Sequence, residues 1–174
     1  MTFPHLSLVV LSFCLAACPH ADAQGTGQVQ RPRPFTQEHI QMNKAVVSRF
    51  NKEVIEQGRL DSFQELMDPA FVNHSAPPGM DNGPAGMINT FNNVLRPAFP
   101  DLKVVIHEQV AEGDLVTSRK TISGTHLGVL MGIAPTNRKV SIDVIDIVRV
   151  KNGRYFEHWG LNTLGPVLQE LRKP

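Results

Sequence analysis

The chain has 174 residues, and its 17 Lys and Arg against 16 Asp and Glu give a formal net charge of +1. A protein built to grip a phosphate backbone carries a basic excess, so this balance argues against nucleic acid as a partner. Only two cysteines occur, Cys14 and Cys18, which leaves everything after residue 18 without a thiol for a disulfide or for nucleophilic catalysis.

The first element is Leu6 to Ala17 (LSLVVLSFCLAA), an apolar run shorter than the roughly 20 residues that a membrane-spanning helix needs. It has the form of a secretory h-region, although Met1 to His5 lacks the usual Lys or Arg. Two exits compete. Ala21-Asp22-Ala23 is a small-x-small cleavage site that makes 1–23 the signal peptide. Leu15-Ala16-Ala17-Cys18 resembles a bacterial lipobox, which would end the leader at residue 17 and lipidate Cys18. Both predict a secreted or periplasmic protein, with contact to a membrane only through an anchor at Cys18. Residues 24–36 form a tether by composition, and 37–174 are the length of a single domain.

Within that domain, Ile40, Val46, Val47, Phe50, Val54 and Ile55 recur at helical spacing, and Gly58 is placed to stop the helix in a left-handed cap. Asp61 is expected to head a short helix, with Gln64 completing an approximate capping box. Phe71 to His74 reads as a strand, and Ser75 to Gly83 as a loop. Pro84 opens a third helix carrying Met87, Ile88, Phe91, Val94 and Leu95, which Pro97 is expected to end. From Leu102 onward, β-branched runs alternate with turn signals at 112–114, 135–137 and Asn152-Gly153. The last suits a type I′ hairpin, because Asn and Gly most readily accept positive φ. An uninterrupted hairpin would set Lys151 opposite Arg154, Val148 opposite Glu157, Ile147 opposite His158 and Asp146 opposite Trp159. A final helix begins near Pro166 and buries Val167, Leu168 and Leu171. Helices followed by an antiparallel meander make an α+β order.

Six fragments are familiar in this order: Phe99-Pro100-Asp101, Glu112-Gly113-Asp114, Gly124-Thr125-His126-x-Gly128, Met131-Gly132-Ile133-x-Pro135-Thr136-x-Arg138, Asp146-x-x-Arg149 and Glu157-His158-Trp159. Together they resemble the SnoaL-like polyketide cyclases. The resemblance implies a cystatin-like cone, shared with nuclear transport factor two and ketosteroid isomerase, in which N-terminal helices pack on a strongly curved antiparallel sheet around an apolar pocket. It also implies intramolecular aldol closure of an ester substrate by an acid/base carboxylate, without metal or cofactor. The chain departs from the pattern at two positions. Where the characterised cyclases carry their acid/base aspartate stands Gly160, and where they carry the partner histidine stands Asp146.

Asp146 is the first catalytic candidate, because Val140, Ile142, Val144, Val148 and Val150 share its strand face and burial among them is expected to raise its pKa. The alternative is a structural pairing with Arg119, Arg149 or a backbone donor. His126 is the second, as a base, or else a turn residue between Gly124 and Gly128. His74, Phe91, His158 and Trp159 are candidates for binding. His74 is placed to edge the pocket mouth, Trp159 to share a face with Asp146, and His158 to fall on the opposite face unless a bulge re-aims it. No H-x-H, H-x-x-x-H or H-E-x-x-H spacing occurs, so no metal is expected. Two functions stay open: an extracytoplasmic acid/base cyclase, isomerase or lyase acting on a small apolar carbonyl or ester compound, and a non-catalytic pocket domain for a small apolar molecule. For the latter, the outer sheet face is also open to homodimer formation.

Overall fold

The first helix begins where Thr36 offers its hydroxyl to the His39 amide and His39 answers with its ring, a reciprocal cap that satisfies two otherwise free donors. The computed structural model describes residues 35–174. The expected signal peptide with its two cleavage alternatives, Cys18 and all but the end of the expected tether lie outside the described residues. Among those described, no helix is long and apolar enough to cross a membrane.

Helix α1 (Gln37–Arg49) runs on as a π-helical stretch, Phe50–Glu56, before Gly58 turns the chain at φ 72°. Val47, Phe50 and Val54 are at most 1% exposed, so the apolar stripe seen in the sequence is the face against the core. Helix α2 (Leu60–Leu66) follows, with Arg59 as its N-cap residue. The expected capping box is absent, because Asp61 lies inside the first turn and pairs with Arg59 at 2.7 Å. Strand β1 (Met67–Asn73) leads to α3 (Pro84–Asn89), which continues as π-helix through Thr90–Leu95 and ends in a short turn, α4 (Arg96–Ala98). Pro97 therefore does not stop the helical run ahead of itself but is the second residue of α4, one residue before its end. A proline is tolerated there because the first turn of a helix leaves its N–H groups without intrahelical partners.

The remaining strands are β2 (Lys103–Glu112), β3 (Leu115–Thr125), β4 (Lys139–Lys151) and β5 (Arg154–Asn162), closed by α5 (Leu164–Leu171). They form one sheet in the order β1-β5-β4-β3-β2. The meander is antiparallel as expected, but β1 joins it parallel to β5, so the sheet is mixed. A parallel neighbour needs a long crossover, and here the whole meander provides it.

Side chains alternate between two faces. Val116, Ile122, Val140, Ile142, Val148 and Val150 point into the core against α1, while Val110, Ile145, Ile147 and Leu161 stay exposed on the outer face. The Gly124 to Gly128 turn packs directly on the end of α4. Leu127 and Gly128 both donate to the Ala98 carbonyl, at 3.0 and 3.2 Å, and a Cβ at Gly128 would stand 2.1 Å from the Pro97 carbonyl oxygen. Backbone cannot yield as a flexible side chain does. Gly128→Ala is therefore expected to destabilise the fold by roughly 1–3 kcal/mol, the usual cost of overpacking, measured as a lower urea midpoint at unchanged slope.

Candidate functional site

The Asn152-Gly153 hairpin has both central residues at positive φ, 51° and 73°, and Lys151 faces Arg154 as the turn requires. One step further on, the register shifts. Val150 pairs with Tyr155 but Arg149 pairs with Glu157, leaving Phe156 as the extra residue of a β-bulge. Beyond it Val148 faces His158, Ile147 faces Trp159 and Asp146 faces Gly160. The uninterrupted register is thus wrong by one residue, and every later β5 side chain changes face. Trp159 goes to the outer face beside Ile147, not opposite Asp146. His158 comes inside, on the face of Asp146.

Asp146 is 2% exposed, and its partner is neither Arg119 nor Arg149. Lys120, also buried, donates to Asp146 Oδ2 at 2.6 Å and to Asn51 Oδ1 at 2.7 Å. Asn51 in turn donates to the Val47 carbonyl of α1 at 2.9 Å. His158 Nε2 lies 3.8 Å from the same carboxylate oxygen. The expectation of a raised pKa is corrected accordingly. Burial pushes the carboxyl up, but the Lys120 charge and the contacts with His158 and Lys120 outweigh it and hold it below the usual carboxylate range.

The tautomer of His158 follows from its other side. Asn73 Oδ1 accepts the Ser75 amide at 3.0 Å, which identifies that atom as the oxygen. His158 Nδ1 lies 2.9 Å from it and must therefore be the donor. Nε2 is left as the atom that gains or loses a proton. Space for the ring comes from Gly160, where a Cβ would stand 2.9 Å from His158 Cε1 and 3.1 Å from Nε2.

The other candidates are not part of this group. His126 is fully buried against Phe99, with Nδ1 3.1 Å from Thr136 Oγ1. It stands eight positions beyond Ser118, the residue facing Asp146, roughly 25 Å of extended chain. His74 stacks on Trp159 at 4.6 Å and lies 3.0 Å from Glu157, so both belong to the outer side of β5. Phe91 meets Phe50 edge-on at 6.4 Å, within the core. Two clefts of about 350 and 340 Å³ open on the molecule, one around Asp101, Lys103 and Ser141, the other around Arg119, Lys120, Asp143 and Leu161, so that the second reaches the lysine that holds Asp146. Neither is lined by Asp146 or His158. Among the described residues, no group of His, Cys, Asp or Glu has the arrangement of a metal site.

Sequence reasoning missed Lys120, Asn51 and Tyr155. Lys120 was legible, since Val116, Ser118, Lys120 and Ile122 alternate on one face of β3. Asn51 was not, because nothing in the π-helical stretch marks it off from a solvent-facing asparagine.

Helices packed on a five-stranded mixed sheet, with a buried lysine–aspartate pair between them, make this an α+β domain. The family model of the SnoaL-like polyketide cyclases matches residues 45–171, and the chain belongs to that family. Nogalonic acid methyl ester cyclase of Streptomyces nogalater is 26% identical over 131 residues, covering 74% of this chain and 93% of that protein. Among solved structures, IdmH of Streptomyces antibioticus is 28% identical with a TM-score of 0.65, covering 74% of this chain and 97% of its own. A SnoaL-like protein of Jannaschia sp. CCS1 is 26% identical with a TM-score of 0.66, covering 77% and 94%.

Because the folded carboxyl of Asp146 titrates below its unfolded value, its contribution to stability is present above about pH 4 and is lost as pH falls through the folded pKa. Asp146→Asn is expected to flatten the fall of stability between pH 5 and 2, measured by urea unfolding across that range. Lys120→Met leaves a buried charge without its cation. It should cost about 3–5 kcal/mol at pH 7, and the loss should shrink once Asp146 is also made Asn.

Proposed function

We propose that this protein is a cofactor-independent acid/base enzyme that moves a proton on a small carbonyl or ester compound, with His158 as the base and Asp146 as the group that holds its charge. The observation that carries this reading is the pair itself: an imidazole nitrogen 3.8 Å from a buried carboxylate, brought there by the bulge and given room by Gly160. The Asp146 side chain is 3% exposed and that of His158 17%, so a bound compound meets the imidazole and not the carboxylate. Histidine is the commonest general base near neutral pH.

The chemistry follows from the geometry. Nε2 takes a proton from the carbon next to a carbonyl, and the electron pair of that C–H bond passes into the carbonyl to give an enolate. The imidazolium formed stands beside Asp146, where a nearby negative charge favours it. The enolate carbon then attacks a second carbonyl, whose π pair becomes an alkoxide that takes the proton back from His158; where a conjugated C=C extends the enolate, the far carbon of that system takes the proton instead and the double bond shifts. Only a proton is exchanged. The methyl ester in the name of the Streptomyces nogalater relative supports an ester-bearing compound.

A second reading is supported by the Lys120 contact. An aspartate held at 2.6 Å by a lysine, with glycine at the position of the family aspartate, also suits a pocket that binds a small apolar molecule without turning it over. Hydrogen–deuterium exchange at the α-carbon of ethyl benzoylacetate, followed by NMR against the buffer rate, separates the two. Acid/base catalysis predicts exchange well above buffer that His158→Gln lowers by about 10²–10⁴-fold, and a smaller loss in Gly160→Ala, whose methyl pushes the ring aside. Binding of the ester without any acceleration of exchange would establish the second reading.

A further inference from the structure

One buried polar group on β5, the Tyr155 hydroxyl, has no part in the mechanism above. Tyr155 is 2% exposed, and its ring stacks on Phe50 at 4.0 Å. Among the described residues its hydroxyl has no hydrogen-bond partner, and the same holds for Asp146 Oδ1 on the same sheet face and for His126 Nε2 just past the far end of β3. Buried hydroxyls are almost always bonded, so an orphan calls for a partner beyond the described residues.

The bulge decides where this hydroxyl faces. Glu157 points outward to Arg149 at 2.6 Å, and the Phe156 ring lies 4.2 Å beneath the Lys151 ammonium. Tyr155 and His158 are therefore consecutive inward side chains of β5. A donor and a base look into one interior from one strand. Burial pushes the phenol well above its ordinary value, and the Asp146 charge adds to this, so the hydroxyl keeps its proton at any working pH and serves as a donor.

We propose that Tyr155 is a second catalytic residue, whose hydroxyl donates to the carbonyl oxygen of the bound compound while His158 Nε2 takes the proton from the adjacent carbon. Negative charge grows on that oxygen as the proton leaves, and a fixed donor in a water-poor site is worth most where charge develops. The ligand class is thereby narrowed to compounds with an enolisable C–H next to a carbonyl. This inference rests on the proton-transfer reading.

Tyr155→Phe tests it, because the ring and its stack on Phe50 are kept and no internal hydrogen bond is lost. Thermal stability is expected to be unchanged or raised. The exchange rate of ethyl benzoylacetate is expected to fall by about 10²–10³-fold, the usual loss when one such donor is removed, and enolate binding, read from its near-ultraviolet absorbance, to weaken in parallel. Exchange within two-fold of the wild type, while His158→Gln abolishes it, overturns the role of Tyr155 and leaves His158 as base. Enolate binding that weakens in Tyr155→Phe although the wild type shows no exchange upholds the donor and overturns the base. A wild type that neither binds the enolate nor exchanges overturns both.

Discussion

Three elements of the chain meet at one buried ammonium group. Lys120 comes from β3, Asp146 from β4 and Asn51 from the start of the π-helical stretch, and the lysine joins the other two at 2.7 Å or less. Taking a cation and an anion out of water costs several kcal/mol for each ion, and the penalty is recovered only when geometry and remaining hydrogen bonds are good. The helix must therefore lie at one height and angle on the sheet for Asn51 to complete the set. Apolar packing of Val47, Phe50 and Val54 alone tolerates sliding, because burial has no direction. The polar contact supplies the direction.

The second constraint is the extra residue at Phe156. A strand without it would put Trp159 inside and His158 outside, exchanging a large apolar ring for a titratable one. With it, the outer side of β5 gathers a small surface system of its own: Arg149 bridges Asp114 and Glu157, and His74 connects Glu157 to the Trp159 face. These half-buried pairs contribute little stability individually, but they occupy the outward side chains in the bulged register.

Much of the fold could be read from residue patterns. The stripe on α1, the Gly58 stop, Pro84 at a helix start and the Asn152-Gly153 turn each rest on local chemistry that tertiary packing did not overrule. The parallel placement of β1 could not be read, since it depends on partners more than eighty residues away. In the site, the burial of Asp146 followed from alternation along β4. Its partner was misjudged by one position on β3, where the charged neighbours Arg119 and Lys120 face opposite sides and only the alternation of Val116 with Ile122 tells them apart. The bulge carries no marker in the sequence. Phe156 and Glu157 suit a strand equally well in either register, so the location of His158 is settled by the sum of cross-strand contacts and not by any residue alone.

Gly160 bears on how such a site can change over generations. The imidazole of His158 fills the space that any side chain at position 160 would need, and the facing position holds Asp146. A single substitution that restores the aspartate of the characterised cyclases would place a carboxylate against that ring and opposite another carboxylate. Positions 146, 158 and 160 are therefore coupled through shared space, and the effect of a side chain at one depends on what stands at the other two.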